Sequence, residues 1–109
     1  MAGGLPPYKL KQAIEYINAH LGENISLLEI AAQVDMSQYY FCRLFKESVG
    51  MTPHQYVILQ RIERSKYLLL HTKKTILSIA DECGFADSSH FAKHFNRRVG
   101  VSPGKFRRK

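Results

Sequence analysis

The sequence has few cysteines and no long apolar run. Its two cysteines, Cys42 and Cys83, do not form a Cys-x-x-Cys pair, which favours reduced thiols in a cytoplasmic protein. No apolar run approaches the ~20 residues that a membrane-spanning helix needs. The first seven residues are uncharged and rich in glycine and proline, unlike a signal peptide. These absences predict a cytoplasmic protein without a membrane partner.

Patterns typical of enzymes are missing as well. The chain has no recognisable nucleophile–base pair and no glycine-rich phosphate loop. His90 and His94 have a spacing that can bind metal, but no glutamate completes a His-Glu-x-x-His motif and no Cys-x-x-Cys pair accompanies them. The sequence therefore predicts no enzyme, no metal site and no cofactor. A thiol enzyme, such as an alkyl-transfer protein, is the alternative that thiol titration with a test substrate would exclude.

Positive charge is abundant and concentrated in the second half of the chain. The formal net charge is +7. Residues 1–60 hold 4 basic and 5 acidic side chains, whereas residues 61–109 hold 12 and 4. A basic half indicates a polyanionic partner, which can be nucleic acid or an anionic membrane face. Charge alone does not choose between these partners, and a solvated basic surface has the same composition.

Apolar residues recur with helical spacing along most of the chain. Leu10, Ala13, Ile14 and Ile17, for example, follow the i, i+3, i+4, i+7 rule of an amphipathic helix. Hydroxyl residues suited to N-caps and glycines suited to helix ends divide this pattern into segments. The spacing predicts helices at about 8–21, 27–34, 38–49, 53–71, 76–83, 87–99 and in a short segment from Pro103.

One signature occurs twice, fifty residues apart. "VGMTPHQY" begins at Val49 and "VGVSPGKF" begins at Val99. In each copy the glycine can end one helix, the hydroxyl residue can cap the next, and the proline suits its first position. The likeness extends over 26–50, whose cap and apolar positions recur 49 or 50 residues later within 75–100. The chain therefore contains two copies of one unit.

Each copy consists of a short helix, a tight turn and a longer helix, which is the helix-turn-helix motif. We predict an all-α fold of about seven helices, with two helix-turn-helix subdomains joined by a long linker helix. The predicted boundaries are 1–7 for a disordered or linker segment, 8–52 for the first subdomain, 53–71 for the linker helix and 72–109 for the second subdomain.

The second helix of such a motif enters the DNA major groove, where its first residues reach base edges. Arg43 can contact guanine through two hydrogen bonds, Gln38 can read adenine, and Tyr39 can touch a thymine methyl group. The matching face of the second copy is small and weakly polar, so we expect the first copy to supply more base discrimination. The predicted base-facing set is Gln38, Tyr39, Cys42, Arg43, Ser88, Ser89, Ala92 and Lys93.

Phosphate contacts hold a protein on DNA without reading its sequence. Two recognition helices in successive major grooves must lie about 34 Å apart, which a linker helix of roughly 27 Å plus the width of one unit can reach. We therefore expect one chain to read an asymmetric double-stranded DNA site without dimerising. The predicted phosphate-contacting set is Ser37, Lys46, Asn96, Arg97, Arg98, Lys105, Arg107 and Arg108.

The stretch 25–107 resembles the DNA-binding domain of the AraC/XylS family of bacterial transcription regulators. The resemblance is carried by "ISLLEIAAQVDMSQYYFCRLFKESVGMTPHQY" and "RIERSKYLLLHTKKTILSIADECGFADSSHFAKHFNRRVGVSPGKFR". It implies a seven-helix, two-subdomain fold and activation of transcription by contact with RNA polymerase. Carried over by position, it points to the base-facing residues Tyr39, Cys42, Arg43, Ser88, Ser89, Ala92 and Lys93.

The resemblance also bears on the rest of the protein. Members of the family often carry this domain behind a ligand-binding or dimerisation domain. We therefore expect the chain to be either one domain of a longer regulator or a complete short regulator. The alternative to DNA binding is a basic helical module that docks on an acidic protein partner. Arg43 and Lys93, which are basic at matching positions, favour DNA, and unchanged DNA affinity after neutral substitution of both would favour the interaction module.

Overall fold

A computed structural model describes residues 3–108, most of which are helical. No strand occurs within this range, so the prediction of an all-α fold with about seven helices is confirmed. None of these helices is both long and apolar enough to cross a membrane. The helices are α1 (Pro7–Ala19), α2 (Leu27–Gln33), α3 (Gln38–Val49), α4 (Pro53–His71), α5 (Ile76–Glu82), α6 (Ser88–Val99) and α7 (Pro103–Arg107).

Reciprocal side-chain caps fix where α2 and α4 begin. The Ser26 hydroxyl accepts the Glu29 N–H at 3.1 Å, while the Glu29 carboxylate accepts the Ser26 N–H at 2.9 Å. Thr52 and Gln55 form the same pair at the start of α4, at 3.1 and 2.9 Å. Each pair satisfies two backbone N–H groups that the first turn of a helix leaves without a helical partner. Both pairs are capping boxes.

Two glycines end α3 and α6 in the left-handed conformation. Gly50 has a φ of 87° and Gly100 a φ of 93°, which a residue with a Cβ atom adopts only at a steric cost. Their N–H groups donate to Lys46 O and Asn96 O, each at 2.8 Å. The glycines of the doubled signature therefore end helices, as their sequence context predicts.

The chain divides into two compact units between Val57 and Ile58, inside α4. In the first unit, Phe41 and Phe45 of α3 are completely buried. Helices α1 and α2 contribute further core residues to the same cluster, and Val57 at the start of α4 belongs to it as well. The burial of the two phenylalanines sets the orientation of α3, because the opposite side of that helix must then face solvent.

The second unit has its own core, built from the matching positions. Phe91 and Phe95 of α6 are completely buried, as are Ile79 and Ala80 of α5. Ile62 of α4 packs in the same cluster. The repeat seen in the sequence is therefore a repeat of core positions, and α6 is oriented in its unit by the same kind of aromatic pair as α3.

The structure corrects the prediction that residues 1–7 form a disordered or linker segment. Leu5 is buried in the first core, and its N–H donates to Ser48 Oγ at 2.8 Å. Pro7 is already the first residue of α1. A segment rich in glycine and proline has the composition of a linker. That composition does not show that Leu5 forms a hydrogen bond with a residue 43 positions away. Met1 and Ala2 lie outside the described residues.

Candidate nucleic-acid interface

Helix α2 ends in a tight turn that contains one residue in the left-handed conformation. Met36 N–H donates to Ala31 O at 3.1 Å, and Asp35 N–H donates to Ala32 O at 3.2 Å. Asp35 itself has a φ of 55°. This pair of hydrogen bonds around a left-handed residue is the Schellman motif, which satisfies the last carbonyls of a helix and reverses the chain. Helix α3 therefore begins only a few residues after the end of α2.

The turn between α5 and α6 has the same form. Phe85 N–H donates to Ala80 O at 3.0 Å, and Gly84 N–H donates to Asp81 O at 3.1 Å. Gly84, with a φ of 88°, takes the place that Asp35 has in the first unit. Both units are therefore helix-turn-helix motifs with the same turn geometry.

Helix α3 turns a polar face away from the first core. Of the predicted base-facing residues on it, Gln38, Tyr39 and Arg43 are exposed, and Cys42 is half-buried. The Tyr39 side chain is 72% exposed, so its ring is free of the core. The structure brings these four residues onto one side of the helix, where they can act together on a ligand.

Arg43 is held by a neighbouring carboxylate. Its Nε lies 3.6 Å from Glu47 Oε2, one turn further along α3. Both side chains remain largely exposed, and exposed pairs of this kind contribute little stability. The contact therefore orients the guanidinium without removing it from solvent, and Arg43 keeps hydrogen-bond donors for another partner.

Helix α6 presents a shorter set of side chains. Ser89 and Lys93 are exposed, while Ser88 and Ala92 are half-buried. Lys93 is the long cationic side chain of this predicted set. The face of α6 therefore resembles that of α3 in position and differs from it in chemistry.

The predicted phosphate-contacting residues are mostly accessible. Ser37 has its hydroxyl in a structural role, because its Oγ accepts the Tyr40 N–H at 3.3 Å as the N-cap of α3. A hydroxyl that caps a helix as an acceptor still has its own proton to donate to a phosphate oxygen. The exposed members of the set are Ser37, Lys46, Asn96, Arg97, Arg98, Lys105 and Arg108.

Arg107 differs from the rest of this set. It is half-buried, and its Nε donates to Leu69 O at 3.1 Å while its terminal nitrogen donates to Thr72 O at 3.2 Å. The guanidinium therefore caps the carbonyl end of α4, where a cation is also favoured by the helix dipole. The structure gives Arg107 this internal role, and its other guanidinium N–H groups leave the predicted phosphate contact a prediction.

One cap was missed in the sequence, and one pair of histidines lies as its spacing suggests. Asp87 is the N-cap of α6, and its Oδ1 accepts the His90 N–H at 2.8 Å. Asp is a favoured capping residue, so the signal was present in the sequence. His90 and His94 lie in contact, with their Nε2 atoms 3.2 Å apart, and the four-residue spacing was the signal for that contact.

Burial makes one of the two cysteines a poor nucleophile. It raises the pKa of the Cys83 thiol to about 11, although Arg64 and Arg61 act in the opposite direction. The reactive form of a cysteine is the thiolate, so Cys83 stays unreactive near neutral pH. Burial also lowers the pKa of Arg61, which lies in the same neighbourhood. The second core is thus no setting for thiol chemistry at Cys83.

Comparisons with known proteins converge on one kind of domain. Residues 30–109 match a family model described as a helix-turn-helix domain. The chain is similar to the "HTH-type transcriptional activator RhaS" of Klebsiella pneumoniae, with 33% identity over 99 residues, which cover 91% of this chain and 36% of that protein. The chain spans about a third of the length of the curated relatives it matches.

Solved structures agree with the sequence comparison. A transcriptional regulator from Chromobacterium violaceum, described among AraC-type DNA-binding domain-containing proteins, is 32% identical with a TM-score of 0.87, covering 93% of this chain and 90% of that one. The DNA-binding domain of AdpA, a global transcriptional factor solved in complex with a target DNA, is 30% identical with a TM-score of 0.87, covering 91% and 89%.

Proposed function

Because the chain belongs to the AraC/XylS family of transcription regulators, we propose that it binds double-stranded DNA in a sequence-specific way and regulates transcription. The observation that carries the proposal is the pair of helix-turn-helix units, each with an exposed face on its second helix and a basic residue at the matching position, Arg43 and Lys93.

In the proposed mode of binding, α3 and α6 enter successive major grooves of one duplex. Gln38, Tyr39 and Arg43 carry the base contacts of the first unit, because an amide, an aromatic edge and a guanidinium discriminate bases. The exposed residues of α6 and the basic residues near it supply chiefly phosphate contacts. Since the two faces differ, the preferred site is asymmetric, and one chain is enough to fill it.

The wider role follows from the family. The relative from Klebsiella pneumoniae is named a transcriptional activator, and we propose that this chain also serves activation, through contact with RNA polymerase in the cytoplasm. The chain matches about a third of each curated relative. We therefore propose that it acts together with a ligand-binding or dimerisation domain preceding it.

Selection of binding sites tests the proposal. The purified protein is incubated with random duplex DNA at about 0.15 M salt, where non-specific binding is weak, and the retained DNA is sequenced. We expect an asymmetric motif of two blocks with centres roughly 10 base pairs apart. Retention without a motif would contradict sequence-specific binding.

A double variant separates DNA binding from docking on an acidic protein. Arg43→Ala combined with Lys93→Ala should weaken binding to the selected site and broaden the motif. Lys11→Ala combined with Lys73→Ala, which removes two exposed charges outside α3 and α6, is the matched control for loss of positive charge and should leave the motif unchanged. Unaltered affinity in the double variant would favour the basic interaction module instead.

A further inference from the structure

We infer that His90 and His94 form a two-histidine site for a divalent transition-metal ion of the zinc and copper class. The two Nε2 atoms lie 3.2 Å apart on adjacent turns of α6. A metal ion bonded to two imidazoles at 2.0–2.1 Å places their nitrogen atoms about 2.9 Å apart at a right angle and about 3.3 Å apart at the tetrahedral angle. The observed separation lies within this interval.

Packing brings both rings close to this geometry before any ion binds. The Phe85 ring lies next to both imidazoles, with its centroid 5.8 Å from that of His90 and 6.1 Å from that of His94. The two imidazoles meet edge to face, at an interplanar angle of 85°. Without an ion the 3.2 Å contact is a hydrogen bond, so binding requires the donor ring to carry its proton on Nδ1, which leaves a lone pair on each Nε2.

The chemistry of the donors selects the class of ion. Imidazole nitrogen suits zinc, copper and nickel, whereas magnesium and calcium prefer oxygen ligands. Within residues 3–108 no group of three or more histidine, cysteine or acidic side chains is placed to hold a metal. Water therefore completes the coordination, and the site is an exchangeable one that differs from a structural zinc site.

Charged groups around the pair set limits on the site. Lys93 and Arg97 lie on the same helix, each three residues from one of the histidines, and Asp87 caps the helix beneath His90. The two cations oppose binding of a further cation, so the affinity depends on the two nitrogens acting together. Loss of either histidine should therefore abolish binding rather than halve it.

Thermal unfolding with zinc tests the site in the free protein, independently of DNA. Zinc that binds only the folded state raises the Tm. At pH 7.5, with zinc at about ten times its Kd, we expect a rise of about 5–10 °C, which His90→Gln removes. His71→Gln is the matched control: His71 lies one turn from Tyr67, with its ring stacked on that of Tyr67 at 4.3 Å, and this variant should keep the full shift.

Two further readouts make the outcome decisive. In proton NMR, substoichiometric zinc should shift the Cε1–H signals of His90 and His94 and leave those of the other three histidines in place. The effect should disappear at pH 5, because imidazole binds metal only in its neutral form. A zinc-dependent Tm shift that survives in His90→Gln, or NMR shifts confined to one of the two histidines, would overturn the proposal.

Discussion

The two helix-turn-helix units agree in their interiors and differ on their exposed faces. Phe41 and Phe45 of α3 correspond to Phe91 and Phe95 of α6, and all four are completely buried. On the exposed sides the correspondence fails, since the tyrosine at position 39 corresponds to a serine. The comparison shows that a packed core tolerates few side chains, whereas solvent-facing positions can change without loss of the fold.

The turns show the same separation on a smaller scale. Asp35 and Gly84 are both left-handed, at φ values of 55° and 88°, and both are followed by the same hydrogen bond back to an alanine carbonyl. Aspartate is one of the few residues that tolerates this conformation. The geometry has thus been kept in both units with different side chains.

The largest effect is expected from the aromatic cores. Phe91→Ala should lower the free energy of unfolding by about 3–5 kcal/mol, through lost burial and the cavity that remains. Phe41→Ala should have a cost of the same size if the two cores are equivalent. Urea unfolding followed by circular dichroism measures both. Tyr67→Ala, at a position that is 61% exposed, is the control and should cost less than about 0.5 kcal/mol.

Substitutions on the exposed faces of α3 and α6 should differ in their effect on DNA binding. Arg43→Ala should cost about 1–3 kcal/mol in discrimination at one base pair. Arg97→Ala, at an exposed position of α6 predicted to contact phosphate, should weaken binding to all sequences alike and reduce the salt dependence of binding by about one unit. Binding to single-base variants of the selected site, at several salt concentrations, distinguishes them. Equal loss of discrimination in the two variants would contradict the division of labour between α3 and α6.

Substitutions at the two left-handed turn residues should differ in size. Gly84→Ala places a Cβ atom on a left-handed residue and should cost about 1–2 kcal/mol. Asp35→Gly removes such a Cβ atom but gains freedom in the unfolded chain, so its net effect should be close to zero. Thermal unfolding compares the two. A strongly destabilised Asp35→Gly variant would mean that the aspartate side chain has a specific role in the first turn.

The smallest effect concerns a position where the cores differ, since Val34 of the first unit corresponds to Cys83 of the second. Burial raises the pKa of Cys83 from 9.0 to about 11. Between these values the unfolded thiol loses its proton while the folded one keeps it, so stability falls as pH rises. Between pH 8 and pH 10 the free energy of unfolding of wild type should fall by about 1 kcal/mol more than that of Cys83→Val, as measured by urea unfolding. Parallel pH profiles would contradict this.

Local features of the fold could be predicted from the sequence, because each depends on residues close together in the chain. The capping boxes of Ser26 with Glu29 and of Thr52 with Gln55 span three residues each. The exposed face of α3 follows from helical phase once Phe41 is placed in the core. Short range is what these successes have in common.

Contacts between distant parts of the chain could not be predicted from the sequence. Leu5 bonds to a residue 43 positions away, and Arg107 bonds to carbonyls 38 and 35 positions away. A local pattern shows that Leu5 is apolar and that Arg107 is basic, but it cannot show which backbone or hydroxyl atom either will meet. The internal hydrogen bonds of Arg107 therefore came from the structure, and its contact with phosphate stays a prediction.

The attachment of Leu5 to Ser48 has a practical consequence for producing the protein in pieces. A gene fragment that begins at the first helix would omit Leu5, and with it a buried side chain and the hydrogen bond to the Ser48 hydroxyl. We expect such a fragment to have a lower free energy of unfolding and to lose a contact near the carboxyl end of α3. Cloning boundaries and affinity tags therefore belong upstream of Gly3, outside the segment that packs on the domain.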